Sequence, residues 1–250
     1  MMQAMIFAAG LGTRLKPLTD TMPKALVRVG DRPLIERVVE KLKASGVERM
    51  VVNVHHFASQ VVGYLHDNGN FGVDIRISDE SEMLLDTGGG LKKAAPLFAP
   101  DVPILIHNVD ILSNVDLRWL YESHKGSDAT LLVSERKTKR YLLFNDEMRL
   151  VGWTNTETGE VKSPYPDLDV SACKRFAFSG IHVFSPRLFP LMDGFPDKFG
   201  IIDFYLKVCG KAVIKACVKP DLQLLDVGKL DTLAEAERFI TPTVEWLLTD

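Results

Sequence analysis

The chain has 250 residues, of which 46% are hydrophobic and 25% are charged, and its formal net charge at pH 7 is −3. A chain of this length and composition can bury a substantial core within one domain. The small negative charge argues against a general nucleic-acid or membrane-surface binder, because either class usually carries a basic excess.

The cysteines favour a reducing compartment, and the apolar segments argue against secretion or membrane insertion. Cys173, Cys209 and Cys217 are odd in number and lack C-x-x-C spacing, which favours free thiols over disulfides or zinc ligands. The apolar run at residues 5–9 is too short for a signal peptide, and no apolar stretch reaches membrane-spanning length. We therefore expect a cytoplasmic protein without a membrane partner.

The first predicted element is a buried strand followed by a glycine loop. Residues 5–9 are apolar, which is typical of a strand buried on both faces of a parallel sheet. Gly10 and Gly12 carry no Cβ and can adopt positive φ, so backbone N–H groups in this loop can close around an anion. The loop adds a hydroxyl and three cations, from Thr13, Arg14, Lys16 and Lys24. This combination predicts a triphosphate site.

Two common phosphate-binding motifs do not fit this loop. A Rossmann fingerprint needs a third glycine, but Leu15 stands there, and we expect Pro17 and Pro23 to keep the segment extended. A Walker A sequence is absent as well. Instead, residues 10–24 match G-x-G-T-R-L-x-P-L-T-x-x-x-P-K, which fixes ten positions over fifteen residues. A plain glycine turn with solvated cations is the alternative, but it does not require this order of residues.

This pattern resembles the signature of the sugar-1-phosphate nucleotidyltransferases. The resemblance implies a single-domain, Rossmann-like α/β fold with a mixed, mostly parallel sheet flanked by helices. It divides the chain into a nucleotide-binding half at residues 1–112, a sugar-phosphate-binding half at 113–240 and a tail at 241–250. It also places the nucleotide on Ala8, Ala9, Gly10, Gly12, Thr13, Arg14 and Lys24.

The elements that follow alternate between helices and strands. Pro33 opens a predicted helix with apolar residues at helical spacing, and Gly46 ends it. A strand at 50–54, a helix at about 58–68 and a strand at 73–78 come next. This order predicts one sheet with helices on both faces.

Residues 79–95, DESEMLLDTGGGLKKAA, form the second informative stretch. We interpret the three glycines as a turn that precedes a helix and approaches a flat ligand closely. The stretch looks like the base-binding loop of the N-acetylmuramate-1-phosphate uridylyltransferases, which implies that Glu80, Asp86, Thr87 and Gly88 surround the base and ribose of UTP. An ordinary strand-to-helix turn remains the alternative.

Two side chains follow the apolar strand at 102–106. Asn108 and Asp110 lie at its end, where a carboxylate facing a triphosphate loop can hold Mg²⁺. The resemblance assigns Asn108 to the nucleotide and Asp110 to the metal, although Val109 replaces the glycine that usually precedes this aspartate. The alternative role for an aspartate here, capping the next helix, fits Asn114 or Asp116 better.

The second half is expected to bind the sugar phosphate. Strands are predicted at 129–133 and 176–184, with a hairpin in LLFNDEMRLVGW between them, whereas the rest of 135–175 receives no assignment. Ser179 and Gly180 come at a point where backbone could lie close to a sugar ring. By resemblance, Lys198 meets the phosphate of the sugar phosphate, and a solvated surface lysine is the alternative.

Residues 224–228, LLDVG, resemble the family element that carries the second metal ligand, which would be Asp226. Leu224 replaces its tryptophan and Lys229 replaces its threonine. The resemblance therefore implies that Asp110 and Asp226 hold Mg²⁺, that Lys24 stabilises the α-phosphate, and that Arg14 neutralises the leaving pyrophosphate.

The predicted reaction is nucleotidyl transfer from an NTP to a sugar 1-phosphate. By the same resemblance, the T-G-G-G form, the short chain and the D-V-G ending together favour UTP and N-acetylmuramate or another amino-sugar 1-phosphate, and with them a role in peptidoglycan recycling. The alternatives are a GDP- or dTDP-sugar pyrophosphorylase, a phosphocholine cytidylyltransferase, or a non-catalytic nucleotide-sugar-binding regulator. Homo-oligomerisation remains open.

Overall fold

A ten-stranded mixed sheet runs through the computed structural model, which describes residues 1–240. The predicted tail at 241–250 lies outside the described residues. The strands are β1 Met2–Phe7, β2 Arg28–Val29, β3 Arg32–Pro33, β4 Val47–Val54, β5 Asp74–Asp79, β6 Ile104–Asn108, β7 Ile111–Ser113, β8 Ala129–Ser134, β9 Arg140–Phe144, β10 Leu150–Asn155, β11 Val161–Lys162, β12 Lys174–Phe184, β13 Ile214–Val218 and β14 Leu224–Asp226. The helices are α1 Leu34–Ala44, α2 Ala58–Asp67, α3 Asp86–Ala94, α4 Leu117–Glu122, α5 Ile201–Val208 and α6 Asp231–Ile240.

The sheet order is β11-β10-β9-β12-β6-β1-β4-β5, with β8 beside β12 and β13 beside β8. The strands β6, β1, β4 and β5 are parallel, so their carboxyl ends form one edge. Beyond β6, β12 is antiparallel and leads to the hairpin strands β9, β10 and β11. The predicted single-domain α/β fold, with a mixed, mostly parallel sheet flanked by helices, is confirmed.

The core consists of two hydrophobic clusters on opposite faces of the sheet. In β1, Ala4 and Ile6 join the cluster formed with α1, α2 and α4, whereas Met5 and Phe7 join the cluster formed with α3 and α5. All four side chains are buried. The uninterrupted apolar run of β1 therefore reflects burial on both faces, as the sequence predicts.

Several local predictions also hold. Helix α1 begins directly after Pro33 and ends before Gly46, whose φ is +92°. Asp116 caps α4, because its Oδ1 accepts hydrogen bonds from the backbone N–H groups of Arg118 (2.9 Å) and Trp119 (3.1 Å). Among the described residues, no helix is long and apolar enough to span a membrane.

The segment after the glycine loop differs from the prediction. Residues 13–26 are not extended but form three short 3₁₀ turns, Thr13–Leu15, Leu18–Asp20 and Lys24–Leu26. Pro17 and Pro23 directly precede the second and third turns. Proline is compatible with such turn entries, since its fixed φ suits them and the first N–H groups of a turn need no partner there.

Candidate active site

The glycine loop is supported from below by a chain of buried polar groups. The backbone N–H of Ala8 donates to Oδ1 of Asn53 (2.8 Å), and Nδ2 of Asn53 donates to Oε1 of Glu80 (2.7 Å). The other carboxylate oxygen of Glu80 accepts from the N–H of Leu85 (3.1 Å). Glu80 is fully buried, and this burial raises the pKa of its carboxyl. The structure thus places Glu80 beneath the loop, as a support that connects three segments.

Of the two loop glycines, only Gly12 needs to be glycine for backbone reasons. Its φ is +65°, and a Cβ on it would lie 2.8 Å from Cγ2 of Thr19 and 3.0 Å from Cβ of Lys24. A Cβ on Gly10 would meet no atom of the described residues within 4 Å. Gly12 therefore allows the loop to fold back onto Lys24, whereas Gly10 leaves open space above the end of β1.

Two carboxylates that are far apart in sequence lie side by side. Strand β14 pairs with β7 so that Asp226 is opposite Ile111, and the N–H of Val227 donates to the backbone oxygen of Asp110 (2.8 Å). Two cations of the glycine-loop segment reach the same place. The Lys24 ammonium pairs with the Asp110 carboxylate, and both side chains are largely buried.

Arg14 comes close to the second carboxylate. A Cβ on Gly228 would lie 2.8 Å from Nη2 of Arg14 and 2.6 Å from Oδ1 of Asp226. The small Gly228 leaves the guanidinium room to approach the Asp226 carboxylate, and a side chain here would displace one of the two groups. The structure therefore brings together four predicted residues, two carboxylates and two cations, from both ends of the chain.

The electrostatics of this cluster favour a cation between the carboxylates. The Asp226 side chain is exposed to solvent, but partial desolvation by the surrounding protein raises the pKa of its carboxyl, and the nearby Asp110 raises it further. Lys24, Arg14 and Arg136 act in the opposite direction. Residues 1–240 hold no group of three or more His, Cys, Asp or Glu side chains suited to a metal. Two carboxylates still fit Mg²⁺, since this ion commonly takes one or two carboxylates together with phosphate oxygens.

The triglycine segment is a helix and not the predicted turn. Gly88, Gly89 and Gly90 lie inside α3. A Cβ on Gly88 would lie 2.4 Å from the Phe199 ring, and one on Gly89 would lie 2.0 Å from the backbone oxygen of Asp197. The glycines are therefore needed because α3 packs directly on the 197–199 segment, and a Cβ on Gly88 would point at the Phe199 ring.

A cavity of about 290 Å³ does lie beside α3, above the end of β1. It is lined by residues that include Phe7, Ala9, Gly10, Asp86 and Thr87. Asp86 has a positive φ of 58°, and Oγ1 of Thr87 accepts a hydrogen bond from the N–H of Ile201 (3.0 Å). Thr87 thus ties α3 to α5 at the cavity edge, and its hydroxyl has a structural partner.

The comparisons with known proteins agree with this arrangement. Residues 3–144 match the family model described as Nucleotidyl transferase. The N-acetylmuramate alpha-1-phosphate uridylyltransferase of Caulobacter vibrioides is 32% identical over 224 residues, covering 84% of this chain and 87% of that protein. The chain belongs to the nucleotidyl transferase family.

Other relatives within the nucleotidyl transferase family differ in their nucleotide. The mannose-1-phosphate guanyltransferase of Aspergillus fumigatus is 39% identical over 138 residues, which span 54% of this chain and 38% of that protein. The crystal structure of HddC from Yersinia pseudotuberculosis complexed with GMP-PN has a TM-score of 0.75 at 22% identity, covering 96% of this chain and all of that one. At that identity the likeness supports the fold. As a family member, the chain is a nucleotidyltransferase.

The predicted sugar-side residues of this nucleotidyltransferase fall into three different settings. Gly180 has a φ of +78°, and a Cβ on it would lie 2.7 Å from Nδ2 of Asn108. Gly180 therefore lies against the last residue of β6, Asn108, which precedes Asp110 by two residues. Ser179 is buried and its Oγ accepts from the N–H of Ile181 (3.2 Å), whereas Lys198 is exposed on the segment that packs on α3.

Sequence reasoning missed two residues near the site. Asn53 carries the link between Glu80 and the glycine loop, and its signal was a polar residue at the end of an apolar strand. Arg136 lies in the unassigned 135–175 region, and its guanidinium donates to the backbone oxygen of Phe178 (3.1 Å). No sequence signal distinguished Arg136 from other exposed charges, because its position depends on strand pairing.

Proposed function

We propose that this nucleotidyltransferase transfers the uridylyl group of UTP to a sugar 1-phosphate, with N-acetylmuramate 1-phosphate as the first candidate, and releases pyrophosphate. The observation that supports this most is the pairing of β7 with β14, which sets Asp110 and Asp226 beside Lys24 and Arg14. Such a cluster suits a reaction that brings several phosphate charges together.

The chemistry requires positioning and charge neutralisation, and no protein nucleophile. A phosphate oxygen of the sugar 1-phosphate attacks the α-phosphorus of the nucleotide, and the bond from that phosphorus to the β-phosphate oxygen breaks. Asp110 and Asp226 would hold Mg²⁺, which when bound neutralises phosphate charge and polarises the α-phosphate. Lys24, placed beside Asp110, stabilises the charge that develops at the α-phosphorus.

The remaining cation and the loop serve the leaving group. Arg14 lies between the glycine loop and Asp226, so it can neutralise the β- and γ-phosphates before and after the bond breaks. The backbone from Ala8 to Thr13 surrounds the phosphates, held in place by Asn53. We assign residues 1–112 to nucleotide binding on this basis.

The base is proposed to occupy the cavity beside α3. Its volume of about 290 Å³ suits a base and part of a ribose, and Ala9, Asp86 and Thr87 line it. Gly88 faces Phe199 and would contribute only through its backbone. UTP is proposed because the Caulobacter relative, aligned over most of both chains, is by its name a uridylyltransferase.

The sugar phosphate is proposed to bind through residues 113–240. Gly180, next to Asn108, leaves backbone free to approach a sugar ring, and the exposed Lys198 can meet a phosphate. Ser179 would shape this bulge through its hydrogen bond to Ile181. The three free cysteines are compatible with the cytoplasm, where nucleotide sugars for peptidoglycan recycling would be made.

GTP is the second candidate nucleotide. The guanyltransferase relative matches 138 residues at 39% identity, a higher identity over a shorter stretch than that of the uridylyltransferase. A panel of UTP, GTP, dTTP and CTP against several sugar 1-phosphates, with pyrophosphate release in Mg²⁺, decides between them. A kcat/KM for GTP above that for UTP would contradict the uridylyl assignment while leaving the reaction class intact.

A further inference from the structure

A second cavity, of about 510 Å³, lies in the half of the molecule proposed to bind the sugar. One wall is the face of the three-stranded hairpin sheet β9–β10–β11, and the opposite wall is α5. Residues that bind the nucleotide in the proposed function do not line it. The shape and the chemistry of these walls specify what kind of sugar fits.

Apolar side chains line part of this cavity, and one of them is the aromatic ring of Trp153. Strand pairing places Leu142 opposite Trp153, and Trp153 opposite Lys162, so the three side chains form one row across the sheet. From α5, Ile202 and Leu206 are four residues apart and share one helix face. Apolar side chains combined with converging polar groups are common in small-molecule sites.

One end of the cavity lies close to the reacting groups. Arg136 lines the cavity and donates to the backbone oxygen of Phe178 (3.1 Å). Phe178 precedes Gly180 by two residues, and Gly180 abuts Asn108, the residue two before Asp110. A sugar in the cavity could therefore present its phosphate to the carboxylate and lysine cluster.

Besides Arg136, the cavity is lined by two carboxylates, Glu160 and Asp203, by Lys162, and by an arginine that has no acidic partner among residues 1–240. Arg140 lines the cavity from β9, directly opposite Asn155 on β10. Within residues 1–240 its guanidinium makes no hydrogen bond or ion pair, whereas the neighbouring Lys162 pairs with Glu160 (3.7 Å) and Asp203 (3.8 Å). An arginine placed in a cavity with its five donors free is suited to a carboxylate, which it can bind through two parallel hydrogen bonds.

We propose that this cavity holds the sugar ring and that Arg140 pairs with a carboxylate carried by the sugar, so that the enzyme prefers an acidic sugar 1-phosphate over its neutral analogue. The inference rests on the proposed function. N-acetylmuramate fits because it is N-acetylglucosamine with a lactyl ether, and this ether adds one carboxylate. Asn155, next to Arg140, can donate a further hydrogen bond to the same group.

The test compares two substrates that differ only in this carboxylate. With UTP and Mg²⁺, kcat/KM is measured for N-acetylmuramate 1-phosphate and for N-acetylglucosamine 1-phosphate. Arg140→Gln should lower kcat/KM for the muramate by roughly 10- to 100-fold, the size of a lost charge-assisted hydrogen-bond pair, and leave the glucosamine within about threefold. Arg140→Lys should keep part of the preference, because it retains the charge and loses the fork.

Arg175→Gln is the matched control, because Arg175 is exposed on β12 and does not line this cavity. It should leave both substrates unchanged. An equal loss on both substrates in Arg140→Gln, or a wild-type enzyme that does not prefer the muramate, would overturn the carboxylate assignment.

A binding measurement separates this inference from the proposed reaction. Calorimetry with UDP-N-acetylmuramate and UDP-N-acetylglucosamine needs no turnover. Tighter binding of UDP-N-acetylmuramate by the wild type, lost in Arg140→Gln, supports the role of Arg140. If no sugar 1-phosphate releases pyrophosphate, that separate result contradicts only the proposed reaction. Equal binding of the two sugars by the wild type would contradict the inference.

Discussion

The nucleotide side and the sugar side of this protein encode their sites in opposite ways. On the nucleotide side, Gly12, Arg14 and Lys24 follow one strand within a single loop segment. On the sugar side, Arg136, Arg140 and the residues around them come from a loop, three hairpin strands and α5. A phosphate-binding loop is formed by consecutive residues, so it can be recognised as a sequence motif. A sugar cavity is formed by residues that strand pairing brings together, so no sequence motif marks it.

The two sides meet at two junctions. One is the pairing of β7 with β14, which joins Asp110 to Asp226. The other is the contact of α3 with the 197–199 segment, where the N–H groups of Gly88 and Gly89 both donate to the backbone oxygen of Phe199 (2.9 and 3.1 Å). Mutations at the first junction and in the nucleotide loop should therefore change the kinetic parameters. Mutations at the second junction and in the sugar-side core should change the stability.

Removing the carboxylate charge at the first junction should have the largest effect. Asp110→Asn keeps the shape and the hydrogen-bonding oxygen beside Lys24, but it loses the charge proposed to hold Mg²⁺. We expect turnover to fall by about 10³-fold or more, with the far-ultraviolet circular dichroism unchanged. Asp146→Asn, at an almost fully exposed carboxylate, is the control. Full activity of Asp110→Asn, or of the wild type in EDTA, would contradict the two-carboxylate site.

The two loop cations should differ in the kinetic parameter that they control. Lys24→Ala removes an interaction that strengthens in the transition state, so kcat should fall by about 10²-fold with little change in KM. Arg14→Ala removes binding to phosphates that are already charged in the ground state, so KM for the nucleotide should rise as well. Steady-state kinetics on both variants check this. If Lys24→Ala changes only KM and Arg14→Ala changes only kcat, the two roles are reversed.

The sequence was sufficient for the parts of the site that depend on local backbone. It predicted the buried strand, it allowed the positive φ that the structure shows at Gly12 but not at Gly10, and it offered Asn114 or Asp116 as the cap that Asp116 forms. Each of these follows from the residue itself and its immediate neighbours. The sequence predicted a turn where the three glycines form part of α3, because a run of glycines is typical both of a turn and of a helix that packs closely on another segment. Only the three-dimensional neighbour, Asp197, distinguishes these two cases.

That distinction can be tested by adding a single methyl group. In an isolated helix, alanine in place of glycine is stabilising by about 1 kcal/mol. Gly89→Ala in α3 should instead destabilise the protein by about 2 to 3 kcal/mol, because its Cβ would lie 2.0 Å from the backbone oxygen of Asp197. Gly63→Ala in α2 is the matched control, since its Cβ would meet nothing in residues 1–240 within 4 Å. Denaturant unfolding measures both, and equal stabilisation of the two variants would mean that α3 does not pack on this segment.

The stability of the sugar-side core should respond to acid through the buried imidazole of His182. His182 on β12 is buried between the rings of Phe178 and Tyr205, and within residues 1–240 neither of its ring nitrogens has a hydrogen-bond partner. Burial lowers the pKa of His182 to about 3 from its ordinary value near 6.5. Because the native pKa is the lower one, the unfolded chain binds a proton first as pH falls. The stability present above pH 6.5 is therefore lost between pH 6.5 and 3.

His182→Leu should remove this contribution while keeping a side chain of similar volume in the core. Between pH 7.5 and pH 5, the free energy of unfolding of the wild type should fall by about 1 to 2 kcal/mol more than that of the variant. Unfolding in urea at both pH values measures the difference, and the pH 7.5 data serve as the control because the imidazole is then neutral in both states. Some pH dependence of the free energy of unfolding should remain in the variant, because burial also lowers the pKa values of His107 and His124, each to about 4. If His182→Leu leaves the pH dependence of the free energy of unfolding unchanged, the pKa of His182 is the same in the folded and the unfolded chain. Burial in the sugar-side core would then not lower it.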